Sequence, residues 1–236
     1  MILKVQILML LFTSSFVKLY SQNLKSDLAK VNAVYANSKK YAMDCDYLYF
    51  EDQSKKTPYT TVKGQIKKCN DINYVKQGDT ETINTSDYSV RVNNDSKTIT
   101  LLPKKNYKTP SSPIAVNIDS LAKFYKKVDF KKISNDINSY SFDMSETSEY
   151  QKFELQFDKN NYQIKRLIFY FTNLDISDDE IEKKTNPKIE IVYSKFSNTP
   201  NLQEKDINYE RFLIKKGKTY ELKPEFLKYK LYSYTL

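Results

Sequence analysis

Apolar side chains recur at every second position over much of this chain, and this period constrains the fold more than any other feature. In the segment 151–157, three apolar residues alternate with polar ones: Phe153, Leu155 and Phe157. Successive side chains of a β-strand point to opposite faces of the sheet, so the pattern predicts a strand with one apolar face. A turn at Asp158–Asn161 and a second alternating segment, Gln163–Phe171, complete a predicted hairpin.

The same alternation predicts further strands, and together they indicate an antiparallel sheet. They are Met43–Tyr49, Val62–Lys67, Asn73–Lys76, Glu81–Asn84, Tyr88–Val92, Thr98–Leu102, Phe130–Ser134, Ser139–Met144, Lys188–Tyr193, Arg211–Ile214 and Tyr220–Leu222. Helical spacing of Leu24, Leu28, Val31 and Tyr35 predicts a helix from Leu24 to about Ser38. A second, short helix is predicted over Ile118–Lys126. Since no segment resembles a long linker, the sequence predicts a single α+β domain over residues 22–236.

The first 21 residues have the pattern of a secretory signal peptide. Lys4 precedes an apolar stretch from Val5 to Phe16, which is shorter than the roughly 20 residues that span a bilayer. Ser21 is a small residue suited to the cleavage site. We therefore expect export to the periplasm. The residue after Ser21 is glutamine rather than cysteine, so we expect a protein that is not itself lipidated.

Composition removes most enzyme classes. The chain has no histidine and only 3 glycines, so histidine general bases, imidazole metal sites and glycine-rich phosphate loops are excluded. The net charge is +9, and lysine supplies nearly all of the positive charge, because arginine occurs only at positions 91, 166 and 211. Nucleic-acid readers favour arginine. We expect a solvated basic surface, with attraction to an acidic partner or anionic lipid as the alternative, and no nucleic acid, metal or cofactor.

Cysteines and carboxylates offer weaker candidates for chemistry. The alternation places Cys45 and Cys69 on opposite faces of neighbouring strands, which favours free thiols, although a disulfide stays open for an exported chain. Asp44 and Asp46 share a strand face and are interpreted as solvent-facing charges, with an acid–base or calcium pair as the alternative. The acidic run 175–182 lacks the spacing of a calcium loop and is interpreted as an exposed connection.

Three segments together resemble the bacterial periplasmic lipoprotein carriers of the LolA/LolB fold. Residues 23–31 are similar to that family's opening helix, and Val90–Leu102 is similar to its strand–turn–strand unit. The sequence from Phe153 to Leu167 resembles its F-x-L-x-F, turn, x-I-x-x-L hairpin. The chain departs from the family by having no tryptophan, by carrying Ser96 in place of a turn glycine, and by an added segment, residues 201–236.

The resemblance implies a fold and a function. It implies a curved antiparallel sheet that forms an incomplete barrel covered by helices, with acyl chains of lipids or lipoproteins bound in the hollow without covalent chemistry. The residues predicted to line or rim that hollow are Tyr47, Tyr49, Tyr74, Tyr88, Val90, Phe153, Leu155, Phe157, Leu167 and Phe169. The alternative is an interaction module of an envelope or outer-membrane assembly with a filled core. No catalytic residue is predicted, and an enzyme would have to use Asp44 and Asp46 or tyrosine and lysine side chains.

Overall fold

A computed structural model describes residues 24–103, 124–146, 148–171, 186–217 and 219–233. The predicted signal peptide and the acidic run 175–182 lie outside the described residues. Helix α1 covers residues 24–36. The strands are β1 Lys40–Phe50, β2 Thr60–Cys69, β3 Ile72–Gln77, β4 Thr80–Asn84, β5 Tyr88–Asn93, β6 Thr98–Pro103, β7 Tyr125–Lys132, β8 Ile137–Met144, β9 Tyr150–Asp158, β10 Ile164–Phe171, β11 Lys188–Ser197, β12 Leu213–Lys216, β13 Thr219–Leu222 and β14 Lys230–Ser233. Short 3-10 turns cover Glu204–Asp206, Tyr209–Arg211 and Pro224–Phe226.

Twelve strands form one sheet in the order β14-β6-β5-β4-β3-β2-β1-β11-β10-β9-β8-β7. Neighbouring strands are antiparallel except for β14, which pairs with β6 in parallel. The strand order has two ends, β14 and β7, so the described sheet is open and does not close into a barrel. Strands β12 and β13 form a separate hairpin.

Helix α1 covers one face of the β1–β11–β10–β9–β8 half of the sheet. Its apolar stripe, Leu24, Leu28, Val31 and Tyr35, is buried, as the helical spacing predicts. The stripe packs in one core with residues of these strands, including Tyr41, Phe157 and Ile164. Two hydrogen bonds fix the position of the helix on the sheet. Tyr35 Oη accepts one from the Ile164 amide at 2.9 Å, and Tyr140 Oη donates one to Asp27 at 2.8 Å.

The C-terminal segment, residues 201–233, covers the other half of the sheet on the opposite face. A second core contains Ile83, Val90, Ile99 and Leu101 of β4–β6 together with Leu202, Ile207, Phe212 and Leu213 of this segment. Strand β2 contributes to both cores from its two faces, because Ile66 belongs to the first core and Cys69 to the second. Two covers therefore lie on opposite sides of one sheet.

The structure confirms the antiparallel sheet, the opening helix and both predicted hairpins, but it corrects the cover. In the described ranges only α1 is a helical cover, and the second half of the sheet is covered by an irregular segment with a small hairpin, so the prediction of a helical lid is wrong there. The predicted helix over Ile118–Lys126 lies mostly outside the described residues. Its last residues, Tyr125 and Lys126, begin strand β7 instead.

Candidate functional site

A continuous row of apolar side chains crosses six neighbouring strands on the α1 side of the sheet. Backbone pairing places the following residues side by side: Tyr49, Ile189, Phe169, Phe153, Phe142 and Val128. At about 4.8 Å between strands, the row is about 24 Å long. We call it the apolar row.

Burial along the apolar row is uneven. Phe153 and Phe142 are buried, whereas Tyr49, Ile189 and Phe169 are only partly buried. Tyr150 packs edge-on against Phe169, with ring centres 5.4 Å apart, and extends this accessible surface. At the other side, the ring of Tyr59 lies 6.5 Å from that of Tyr49 and is 62% exposed. The Tyr49 end of the row is thus an apolar surface that solvent reaches.

The accessible end of the row carries no formal charge. Burial raises the pKa of Tyr150 above its ordinary value, and it raises the pKa of Tyr47 on the next row in the same way, so both phenols remain neutral at physiological pH. Tyr49 Oη accepts a hydrogen bond from Gln77 Nε2 at 2.5 Å, which fixes the orientation of its ring. This surface can bind an uncharged aliphatic or aromatic group through contact and desolvation.

Seven of the ten predicted ligand residues lie on the α1 side of the sheet. Tyr49, Phe153 and Phe169 belong to the apolar row. Tyr47, Leu155 and Leu167 form part of the adjacent row, which pairing aligns next to the first, and they are buried together with Phe157. The structure brings these seven together, and those nearest α1 fill the core beneath the helix.

The other three predicted residues lie on the opposite face. Tyr74, Tyr88 and Val90 pack in the second core, under the C-terminal segment. The Tyr88 ring contacts the rings of Tyr209 and Tyr220, with centres 5.8 Å and 5.5 Å away. These three residues therefore cannot share one ligand site with the other seven.

Sequence reasoning did not assign Ile189, Tyr59 or Tyr150 to the site. The alternation in Lys188–Tyr193 places Ile189 on one strand face with Ile191 and Tyr193, but its pairing with Tyr49 and Phe169 follows only from the order of the strands. Tyr59 directly precedes β2, where no alternation signals its position. For Tyr150 the sequence offers one signal, because it is an aromatic residue directly before the alternating segment of β9.

Asp44 and Asp46 lie on the face opposite the apolar row. They line a polar groove of about 510 Å³ together with Lys63, Gly64, Gln65, Lys76, Ser194 and Lys195. Asp44 pairs with Lys195 at 2.9 Å and Asp46 with Lys63 at 2.8 Å. The hydrogen bond from Lys195 lowers the pKa of Asp44, so this carboxylate is ionised and cannot act as a general acid near neutral pH.

Neither a metal-binding cluster nor a membrane-spanning helix is found among the described residues. Within these ranges no three carboxylate or cysteine side chains lie close enough together to hold a metal ion. Among the same residues, no helix has the length and apolar character needed to cross a bilayer. The two cysteines are both buried and free.

Comparison with known proteins gives similarity at the level of structure. No protein-family model and no curated protein sequence matches the chain. The structure is similar to a putative outer membrane lipoprotein-sorting protein domain from Vibrio parahaemolyticus, with a TM-score of 0.39, 13% identity, and coverage of 79% of this chain and 96% of that one. It is similar to a LolA superfamily protein from Nitrosomonas europaea, with a TM-score of 0.37, 11% identity, and coverage of 79% and 98%.

A third similar structure is MucB in complex with MucA(peri), with a TM-score of 0.39, 8% identity, and coverage of 78% of this chain and 58% of that one. The protein from Nitrosomonas europaea is named as a member of the LolA superfamily, the family that the sequence resembles. At these TM-scores the similarities carry no argument about what this chain binds.

Proposed function

We propose that the protein is an exported, periplasmic carrier or binding module that holds acyl chains of lipids or lipoproteins without covalent chemistry. The observation that carries this proposal is the apolar row, whose accessible end at Tyr49, Ile189 and Phe169 continues directly into the buried core at Phe153. A linear apolar surface of this kind fits a linear hydrocarbon chain. The signal-peptide pattern of residues 1–21 and the sequence resemblance to lipoprotein carriers support the same function.

The energetics favour such binding. Each methylene group that leaves water contributes about 0.8 kcal/mol, so eight methylenes laid along the accessible end contribute about 6 kcal/mol before the cost of ordering the chain. The phenol of Tyr150, whose pKa burial raises, adds no charge that would have to be desolvated. A metal or nucleotide is not required for this chemistry.

Binding of palmitate to delipidated protein, measured by displacement of a fluorescent fatty acid, tests the proposal. We expect Ile189→Asp to weaken binding at least about tenfold, since a carboxylate in the row would have to be desolvated by the chain. Leu102→Asp is the matched control, because Leu102 is 44% exposed and lies on the same side of the sheet, on β6. Equal loss in both variants, or no binding by the unmodified protein, would show that the proposal is wrong.

A second candidate function is an interaction module of an envelope assembly. One observation favours it: Leu227, which follows the last 3-10 turn, exposes 72% of its surface. A protein partner that covers this side chain would be lost on Leu227→Asp. Cross-linking in cells followed by purification tests this candidate, and identical cross-linked species from both forms of the protein would contradict it.

A further inference from the structure

One region of the sheet surface belongs to neither core. It is the α1 side of β4–β6 and β14, beyond the strands that α1 covers. Most side chains on this face are short and polar: Thr80, Thr82, Asn84, Ser89, Asn93, Thr98 and Thr100. Leu102 of β6 is exposed at the end of the same face. None of them takes part in either core of the described structure. We call this surface the threonine face.

Arg91 lies at the centre of the threonine face and is exposed. It differs from the other two arginines of the chain. Arg166 pairs with Glu190 at 3.1 Å and Arg211 pairs with Glu81 at 2.9 Å. Arg91 forms no ion pair or side-chain hydrogen bond with any residue that the structure describes, so within these ranges none of its five N–H donors is engaged.

The neighbours of Arg91 are also unengaged. Backbone pairing places Thr82 on one side, Thr100 on the other and Tyr232 beyond Thr100, so the row is about 14 Å long. Neither Thr82 nor Thr100 forms a side-chain hydrogen bond within the described part of the chain. Tyr232 is 39% exposed, and Lys230 Nζ lies 4.9 Å from the centre of its ring.

The described charged residues that lie on the threonine face are all positive. Arg91 and Lys230 are its cations, and no described strand residue of the face is a carboxylate. Glu81 of β4 lies on the opposite face, paired with Val92 of the second core, and Asp79, Asp87 and Asp95 lie in the turns at the strand ends. The face therefore combines a guanidinium with hydroxyl and amide groups and attracts an anion.

We infer that the threonine face binds an acidic glycan, a carbohydrate that carries carboxylate or sulfate groups. A guanidinium binds a carboxylate or sulfate through two parallel hydrogen bonds. The threonine hydroxyls and asparagine amides both donate and accept, which complements the hydroxyl groups of sugars. This inference is independent of acyl-chain binding, because it concerns different strands and different chemistry.

An anionic membrane fits this face less well. Each lysine or arginine near an anionic bilayer contributes about 1 kcal/mol, so Arg91 and Lys230 would contribute only about 2 kcal/mol. The threonine and asparagine side chains would then have no specific partner. A ligand that carries both hydroxyl and acid groups would contact the threonine and asparagine side chains as well as the two cations.

Binding of polygalacturonate, with neutral dextran and anionic phospholipid vesicles in parallel, tests the inference in the full mature chain. We expect retention by polygalacturonate and little by dextran. Arg91→Gln should weaken polygalacturonate binding at least about tenfold, the size expected for loss of a charge-assisted hydrogen bond. The double variant Thr82→Val and Thr100→Val keeps charge and side-chain shape, and it should weaken binding several-fold. Lys131→Gln is the matched control, since Lys131 is exposed on β7 and forms no ion pair with a described residue.

Each alternative result overturns the inference. Equal weakening by Arg91→Gln and Lys131→Gln would show nonspecific attraction to a polyanion. Unchanged binding by the double threonine variant would show that the hydroxyl groups of Thr82 and Thr100 do not contact the ligand. Equal retention by dextran would show that the ligand does not need acid groups. Arg91-dependent binding to vesicles without binding to polygalacturonate would assign the face to lipid. A wild-type protein that binds no polygalacturonate would also show that the inference is wrong.

Discussion

Arg211 Nη1 lies 2.9 Å from Glu81 Oε2 and joins the C-terminal segment to strand β4. Glu81 is buried and also accepts hydrogen bonds from Tyr74 Oη at 2.9 Å and Asn94 Nδ2 at 3.1 Å. Burial by itself raises the pKa of Glu81, but the charge of Arg211 and the hydrogen bonds from Asn94 and Tyr74 outweigh it and hold the pKa below its ordinary value. This carboxylate is a buried polar connection between the C-terminal segment and the sheet.

Replacing Arg211 by methionine should destabilise the protein by about 2 kcal/mol, because it leaves the buried Glu81 carboxylate without its cation. Urea unfolding followed by far-ultraviolet circular dichroism measures the change. Arg166→Met is the matched control. Its partner Glu190 keeps a second cation, Lys188, at 2.8 Å, so the loss should be smaller. Equal losses in the two variants would contradict this account.

The same carboxylate predicts a dependence of stability on pH. The pKa of Glu81 is lower in the folded chain than the value of about 4.3 expected in the unfolded chain, so the stabilisation is present above that value and is lost as the pH falls through the folded pKa. The free energy of unfolding should decrease below about pH 5. Glu81→Gln should be less stable near neutral pH and should lose less stability on acidification. Parallel pH profiles of variant and wild type would argue against this role.

The sequence predicted the elements where alternation or helical spacing is strong. The hairpin of β9 and β10 is found where Phe153, Leu155 and Phe157 place it, and α1 buries the four residues of its predicted stripe. These predictions succeed because one apolar face per element is a local property of the chain. The turn before β6 is also where its asparagine-rich sequence places it, and Lys97 adopts the positive φ of 53° that ends such a turn.

The side of the sheet on which each cover lies could not be predicted in the same way. Alternation shows which residues of one strand share a face, but it does not show which side of the sheet a cover occupies. Tyr74 and Tyr88 therefore seemed equivalent to Tyr47, although they lie on the opposite face under residues 201–233. The role of that segment depends on long-range contacts such as the one between Glu81 and Arg211, which leave no local periodic pattern.

Gly64 lies where the sheet leaves no room for a side chain. A Cβ at this position would lie 2.6 Å from the Lys76 carbonyl oxygen and 2.7 Å from Tyr47 Cε2. Since a backbone atom cannot move aside cheaply, Gly64→Ala should cost about 3 kcal/mol. Gly217→Ala is the control. A Cβ there would meet no described atom within 4 Å other than those of its chain neighbours, so at its φ of +59° only backbone strain of about 1 kcal/mol is expected. Thermal unfolding of both variants measures the difference, and a smaller loss for Gly64→Ala would refute the steric argument.

Tyr35 connects α1 to the sheet through a hydrogen bond that phenylalanine cannot form. Its ring is fully buried, and burial raises the pKa of its phenol to about 12, so it stays protonated and accepts from the Ile164 amide. Tyr35→Phe should cost about 1–3 kcal/mol, because it leaves a buried amide without a partner. Hydrogen exchange at Ile164 should accelerate. Tyr59→Phe, at a site that is 62% exposed, should change neither quantity.

Cys45 and Cys69 should remain reduced and unreactive in the folded protein, even in an oxidising buffer. They belong to different cores on opposite faces of the sheet, and a disulfide requires the two Cα atoms to lie within about 7 Å with side chains directed toward each other. Burial raises the pKa of the Cys45 thiol to about 11 and also raises that of Cys69, which suppresses the thiolate form that reacts. We expect a thiol reagent to modify neither residue in native protein and both in urea, and a reductant to leave the melting temperature unchanged. Loss of titratable thiols in folded protein kept in an oxidising buffer, restored by a reductant, would contradict the separation of the two faces.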